Sequence, residues 1–143
     1  MLLLDVNVLI HSWRPGADRH EQYREWLESM IASDELFGAS ELVLSSFLRV
    51  VTNRQVFESP SNRDDAFDFV ISLRNQPNCV PLNPGPQHWS IFMDLCRAAD
   101  ARGNLIADAY HAALAIEHRC EWVTTDRHFG RFPGLRWRHP LDP

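Results

Sequence analysis

The chain predicts an α/β domain, with a mainly parallel sheet covered by helices on both faces. Two observations carry this. Short apolar segments alternate with longer stretches whose apolar residues recur at helical spacing. The first such segment, Leu2-Leu3-Leu4, closes on Asp5, and Trp122-Val123-Thr124-Thr125 closes in the same way on Asp126. Open α/β sheets do their chemistry beyond the carboxyl ends of their strands, so two strands that each deliver an acid suggest a shared cation site.

The elements follow in order. Residues 18–33 carry Tyr23, Trp26, Leu27, Met30 and Ile31 at helical spacing, with charges between them. Leu36-Phe37 is long enough only for a very short strand. Glu41–Thr52 reads as a helix that turns Leu42, Phe47, Val50 and Val51 inward. Pro60 interrupts, Ser61 or Asn62 can cap, and Asp64 and Asp65 suit a first turn. That next helix is expected to bury Phe67, Val70 and Ile71. Residues 78–82 read as a strand, closed by Asn-Pro-Gly-Pro at 83–86. Trp89, Phe92, Met93 and Cys96 mark a helix running to about Ala101. Arg102-Gly103-Asn104 breaks it, and an alanine-rich helix spans Leu105–Glu117. Residues 122–125, and then 135–138, supply the last strands. No repeat, linker or low-complexity tract divides the chain, so residues 1–143 form one domain.

A chain of 143 residues can bury roughly 70% of its unfolded surface without disulfides or metal staples. No apolar run approaches the ~18 residues of a membrane span, and the start reaches Asp5 too soon for a signal peptide. Cys79, Cys96 and Cys120 are odd in number and lack C-x-x-C spacing, which favours reduced thiols in a cytoplasmic protein. All 14 basic residues are arginine. Mechanisms that need a lysine ammonium are therefore excluded. A net charge of −5 argues against a general nucleic-acid coat, while leaving room for a local arginine rim.

Two further acids can join Asp5 and Asp126. Asp108 is expected in the first turn of the alanine-rich helix, and Glu41 starts its own helix after Gly38-Ala39-Ser40. Singly, each reads as ordinary first-turn chemistry. Together, four ionised carboxylates within ~5 Å would repel and raise one another's pKa. A divalent ion removes that penalty, and oxygen-only ligands favour Mg²⁺ or Mn²⁺ over zinc.

Four segments, in order, resemble the PIN domain, and within it the VapC-type toxins of bacterial toxin–antitoxin pairs. They are the opening Leu-Leu-Asp-Val-Asn-Val-Leu, Ser40-Glu41-Leu42-Val43-Leu44 with Phe47–Asn53, Gly103–Ala109 with Ala112–Ala115, and Thr124-Thr125-Asp126-Arg127 with Phe129 and Phe132–Leu135. The resemblance implies a PIN-like three-layer fold and a metal-dependent endoribonuclease whose acidic positions are Asp5, Glu41, Asp108 and Asp126. Asp5, Asp108 and Asp126 would hold the metal, and Glu41 would complete the shell or bind a second ion. Metal-activated water would attack an RNA phosphodiester. By the same analogy Asn7 and Thr125 orient carboxylates or water. The analogy also implies a cognate antitoxin that blocks the site, and a homodimer.

Other residues have weaker claims. His111 shares a helix face with Asp108 but lacks an H-E-x-x-H pattern, and His118 suits the end of its helix. Arg49 lines one helix face with Ser45 and Glu41, where it could touch RNA or antitoxin, or pair with Glu41. Arg127 and Arg131 flank Asp126 as candidates for phosphate contacts. The tryptophans read as core except Trp13, placed in a loop beside Arg14-Pro15-Gly16, where it could stack on a base or meet a partner.

Two other functions fit parts of the pattern. An aspartyl-phosphate phosphatase could use Asp5 as nucleophile, but it wants a second Asp where Asn7 stands, and a lysine. A non-catalytic binding module could use the acids to meet basic groups on a partner. No Gly-rich loop ending in Lys-Ser/Thr supports nucleotide-driven chemistry.

Overall fold

Three consecutive leucines form the first strand, β1 (Leu2–Leu4). Successive strand residues face opposite sides of a sheet, yet all three are buried, so both faces are covered. In the computed structural model, which describes residues 1–143, β1 lies between β2 (Phe37–Gly38) and β3 (Glu121–Val123). β4 (Trp137–Arg138) extends the sheet beyond β3, giving the order β2-β1-β3-β4. Every pairing is parallel: Leu4 lies opposite Val123, and Val123 opposite Arg138. The strand expected over 78–82 is reduced to a bridge between Cys79 and Phe37. Pro81, with no N–H, cannot donate to a longer ladder. Asn78 instead ties the region together, its amide donating to the carbonyls of Ser33 (3.1 Å) and Glu35 (3.0 Å).

Six helices surround the sheet: α1 (Val6–Trp13), α2 (His20–Ile31), α3 (Glu41–Val51), α4 (Arg63–Arg74), α5 (His88–Ala98) and α6 (Asn104–Glu117). α1 is the helix that spacing does not predict, because β-branched Val6, Val8 and Ile10 are weak helix formers. It starts because Asp5 caps it, accepting the Val6 N–H at 2.6 Å. Trp13 therefore ends a helix rather than lying in a loop. Its ring meets Phe47 edge-on at 5.4 Å and packs on Phe69 at 5.7 Å. Ser40 caps α3 by accepting from Val43, and Asn62 rather than Ser61 caps α4 by accepting from Asp64 and Asp65.

The inward face of α4 also differs from expectation. Ala66, Val70 and Leu73 are buried, whereas Phe67 and Ile71 are 41% and 56% exposed. Leu42 on α3 is exposed as well, and Trp89 is 64% exposed instead of joining the core. α5 packs along α6. The amino end of α5 is tied to the carboxyl end of α6 by Glu117, which accepts the N–H groups of Gly85 (2.9 Å) and Gln87 (3.1 Å). His118 does close its helix, and its ring also reaches the Asn83 carbonyl at 2.7 Å. Gly85 lets the Glu117 carboxylate approach this closely, since a Cβ there would push it aside.

Phe47 is fully buried where α1, α3 and Phe69 meet. Phe47→Ala should cost roughly 3–5 kcal/mol, read as a lower urea midpoint with an unchanged m-value.

Candidate active site

The chain leaves β1 for β2 on one side and returns to β3 on the other, so the sheet order reverses between β1 and β3. A crevice opens beyond the carboxyl ends of strands at such a reversal. Asp5 is the residue after β1, Asp126 follows β3, and Glu41 follows β2. Sequence-distant acids thus leave the sheet from one edge.

Asp5 is 5% exposed. Its Oδ1 accepts the Val6 N–H and its Oδ2 accepts the Thr124 hydroxyl, each at 2.6 Å. Burial pushes its carboxyl up to about 6, against the pull of those two hydrogen bonds, and the charges of Asp108 and Asp126 add to the rise. Asp108 lies one turn inside α6 rather than in its first turn, so it gains no free helix N–H groups. Its carboxyl is also raised, by burial and then by Asp126, with Arg131 and His128 opposing. Asp126 accepts the His128 N–H at 2.8 Å, and the His128 ring Nδ1 stands 3.0 Å from the same oxygen.

One hydroxyl joins these groups. Thr124 Oγ1 donates to Asp5, accepts the Asp126 N–H at 3.0 Å and is 3.4 Å from the Asn7 amide nitrogen. Asn7 also accepts the Thr125 N–H at 3.2 Å. Asn7 thus fixes the Thr125 peptide instead of bonding a carboxylate, and Thr125 contributes only its backbone, while the buried Thr124 side chain touches the acid. Sequence reasoning missed Thr124 and His128. The signal for Thr124 was its place in the ladder: its N–H bonds to Arg138 and the Asp5 N–H to Val123, so residue 124 stands beside Asp5.

The remaining candidates separate. Glu41 pairs with Arg74 at 3.4 Å, not with Arg49, and the carboxylates that act on Asp5 are those of Asp108 and Asp126. Arg127 is engaged by Asp142 at 3.1 Å, and Arg131 donates to the His128 carbonyl. His111 is stacked on Trp122, and burial pushes its ring down to about 4, which keeps it neutral. No three His, Cys, Asp or Glu side chains converge closely enough to form a metal cage. Three mutually repelling carboxylates with oxygen-only donors fit a hard dication that keeps several waters, and they do not fit a closed zinc site.

A family model described as PIN domain matches residues 2–135. The chain is 46% identical over 142 residues to ribonuclease VapC43 of Mycobacterium tuberculosis, spanning 99% of this chain and 97% of that protein. It is 45% identical over 140 residues to ribonuclease VapC25 of the same organism, covering 98% and 99%. Its fold is similar to VapBC2 from Rickettsia felis bound to a promoter DNA fragment, with a TM-score of 0.70 at 16% identity over 96% of this chain and 97% of that one. It is also similar to FitAB bound to a DNA fragment, with a TM-score of 0.69 at 21% identity over 100% and 97%.

The raised Asp5 carboxyl makes stability depend on pH. The folded chain holds this proton more tightly than the unfolded chain does. The associated stabilisation is complete below the ordinary value of 3.8 and is lost as pH climbs through about 6. In chelator-treated protein, Asp5→Asn should therefore raise stability at pH 7.5 by at most ~3 kcal/mol, read as a higher urea midpoint. The advantage should vanish near pH 3.5; an equal gain at both pH values would contradict the burial argument.

Proposed function

We propose, since this chain belongs to the PIN-domain family, that it is a divalent-metal-dependent endoribonuclease and the toxin of a type II toxin–antitoxin pair. The observation that carries this is that Asp108 and Asp126 lie near enough to Asp5, beyond the β1 and β3 strand ends, to add to the rise of its carboxyl, although the three do not close into a cage. It occurs in a chain that matches VapC ribonucleases along nearly its whole length.

Asp5, Asp108 and Asp126 would hold Mg²⁺ or Mn²⁺, which supplies a water of lowered pKa and neutralises charge developing on the phosphate. Thr124 fixes the Asp5 carboxylate through its hydroxyl hydrogen and the Asp126 backbone through its lone pair. Asn7 locks the Thr125 peptide, so the loop that delivers Asp126 keeps its aim. Glu41, leaving the same sheet edge, would enter as a fourth acid on release from Arg74. Arg131 lies close enough to lower the Asp108 carboxyl and would meet the RNA phosphate. Arg127 and Arg49 would contact RNA or antitoxin.

Solved VapBC relatives support a cognate antitoxin as partner, and we place the chain in the cytoplasm as a homodimer. No helix is long and apolar enough to cross a membrane. An aspartyl-phosphate mechanism is disfavoured because no lysine exists to meet the phosphoryl group.

Purified protein should cut RNA with Mg²⁺ or Mn²⁺ and stop on addition of EDTA. Asp126→Asn should slow cleavage about 100-fold or more. Thr124→Val should cost about 10–100-fold, through misplaced ligands. RNA left intact under every metal condition would overturn the enzyme in favour of a binding module.

A further inference from the structure

The acidic crevice explains the chemistry but not how a chain of net charge −5 holds a polyanion. The edge of the sheet beside β3 offers an answer. β4 is the outermost strand, and its free side is not paired within the chain. Arg136 and Arg138 are two residues apart and so point to the same side, and both are exposed.

At the amino end of β4, a pocket of about 360 Å³ is lined by Ala115, Ile116, Arg119, Cys120, Gly134 and Arg136. Arg136 anchors one guanidinium nitrogen on the Arg119 carbonyl at 2.7 Å. Neither Arg119 nor Arg136 pairs with a carboxylate, whereas Arg138 meets Glu121 at 3.5 Å. The α6 carbonyls beside the pocket do not need these cations. Ala115 accepts from Cys120, and Ile116 from Arg119, which adopts φ +56° to close the helix.

The strand then leads to the site. The Arg136 carbonyl accepts the Trp122 N–H, and the Arg138 carbonyl accepts that of Thr124, the residue that holds Asp5. Beyond Thr124, Arg127 and Arg131 begin and end the short turn that follows Asp126. Three arginines, Arg119, Arg136 and Arg138, thus border this edge, and of them only Arg138 is paired, with Glu121. Charged side chains also protect edge strands from unwanted pairing. That role does not require the unpaired arginines to share a pocket.

We propose that the β4 edge is a track for the RNA backbone, with Arg119 and Arg136 binding a phosphate away from the scissile bond. Planar guanidinium groups read phosphate oxygens in pairs. Three to four extended residues separate the pocket from the crevice, about 13 Å, which one folded RNA can span. The track rests on the ribonuclease reading for its ligand, but its test does not require cleavage.

A fluorescein-labelled RNA hairpin is titrated with EDTA-treated protein over a salt series. Arg119→Gln and Arg136→Gln should each weaken binding and lower the slope of log K against log salt by about one. Arg136→Lys should retain the slope, and Arg24→Gln, within an exposed pair on α2, should leave it unchanged. Urea midpoints confirm that the variants fold. Wild-type slope in the Arg119/Arg136 double variant would overturn the track, as would failure of the wild type to bind the hairpin. Loss of inorganic phosphate binding in the double variant without loss of RNA affinity would assign the pocket to a free anion and overturn it too. Binding with the expected slopes but no cleavage with added metal would leave the track standing and overturn the nuclease.

Discussion

Parallel pairing of β1 with β3 joins residues separated by more than a hundred positions, and the site depends on that contact. It sets Leu4 opposite Val123, so the next residues of both strands emerge side by side at the carboxyl edge. Asp5, Thr124 and Asp126 acquire their relation from this register. A slip of one residue would turn Thr124 away from Asp5 and swap Trp122 and Val123 between the two covered faces of the sheet. The full burial of Leu2–Leu4 and of Trp122 and Val123 resists such a slip, because each face is packed around side chains of one size and shape. Hydrophobic packing thereby positions polar groups it never touches.

The same contact places a carboxylate where the interior disfavours its charge. Asp5 gains two short hydrogen bonds, yet burial outweighs them. Neighbouring Asp108 and Asp126 increase the imbalance instead of relieving it. Only positive charge brought to the crevice reverses the sign, and Arg131 and His128 act on Asp108 in that sense from the rim. The fold therefore crowds carboxylates at the sheet edge, at some cost to its own stability.

Much of this arrangement was legible in the chain. Alternating periods gave the layered α/β class, and the acids that end β1 and β3 pointed to one edge. What escaped notice did so for definable reasons. α1 is built from Val6, Val8 and Ile10, whose branching speaks against a helix; its start depends on the Asp5 side chain, a single-atom cue. On α4 the small Ala66 faces inward while Phe67 and Ile71 face out, because residue size along a helix does not state which stripe meets a neighbour. Thr124 and Thr125 are chemically alike, and only the ladder distinguishes the hydroxyl that touches Asp5. Glu41 exits at the expected edge, but Arg74, from another helix, competes for its carboxylate, a contact that no local spacing encodes.

The clamp at the far end of α6 bears on the crevice in a less obvious way. Glu117 is fastened to the peptide of Gly85, and nine residues earlier, about 13 Å along the same rigid rod, the helix carries Asp108. The helix is thus anchored at a point outside the crevice. A larger residue at position 85 would push the Glu117 carboxylate aside and loosen that tie, so the seating of the helix that carries Asp108 depends in part on a surface turn with no chemistry of its own.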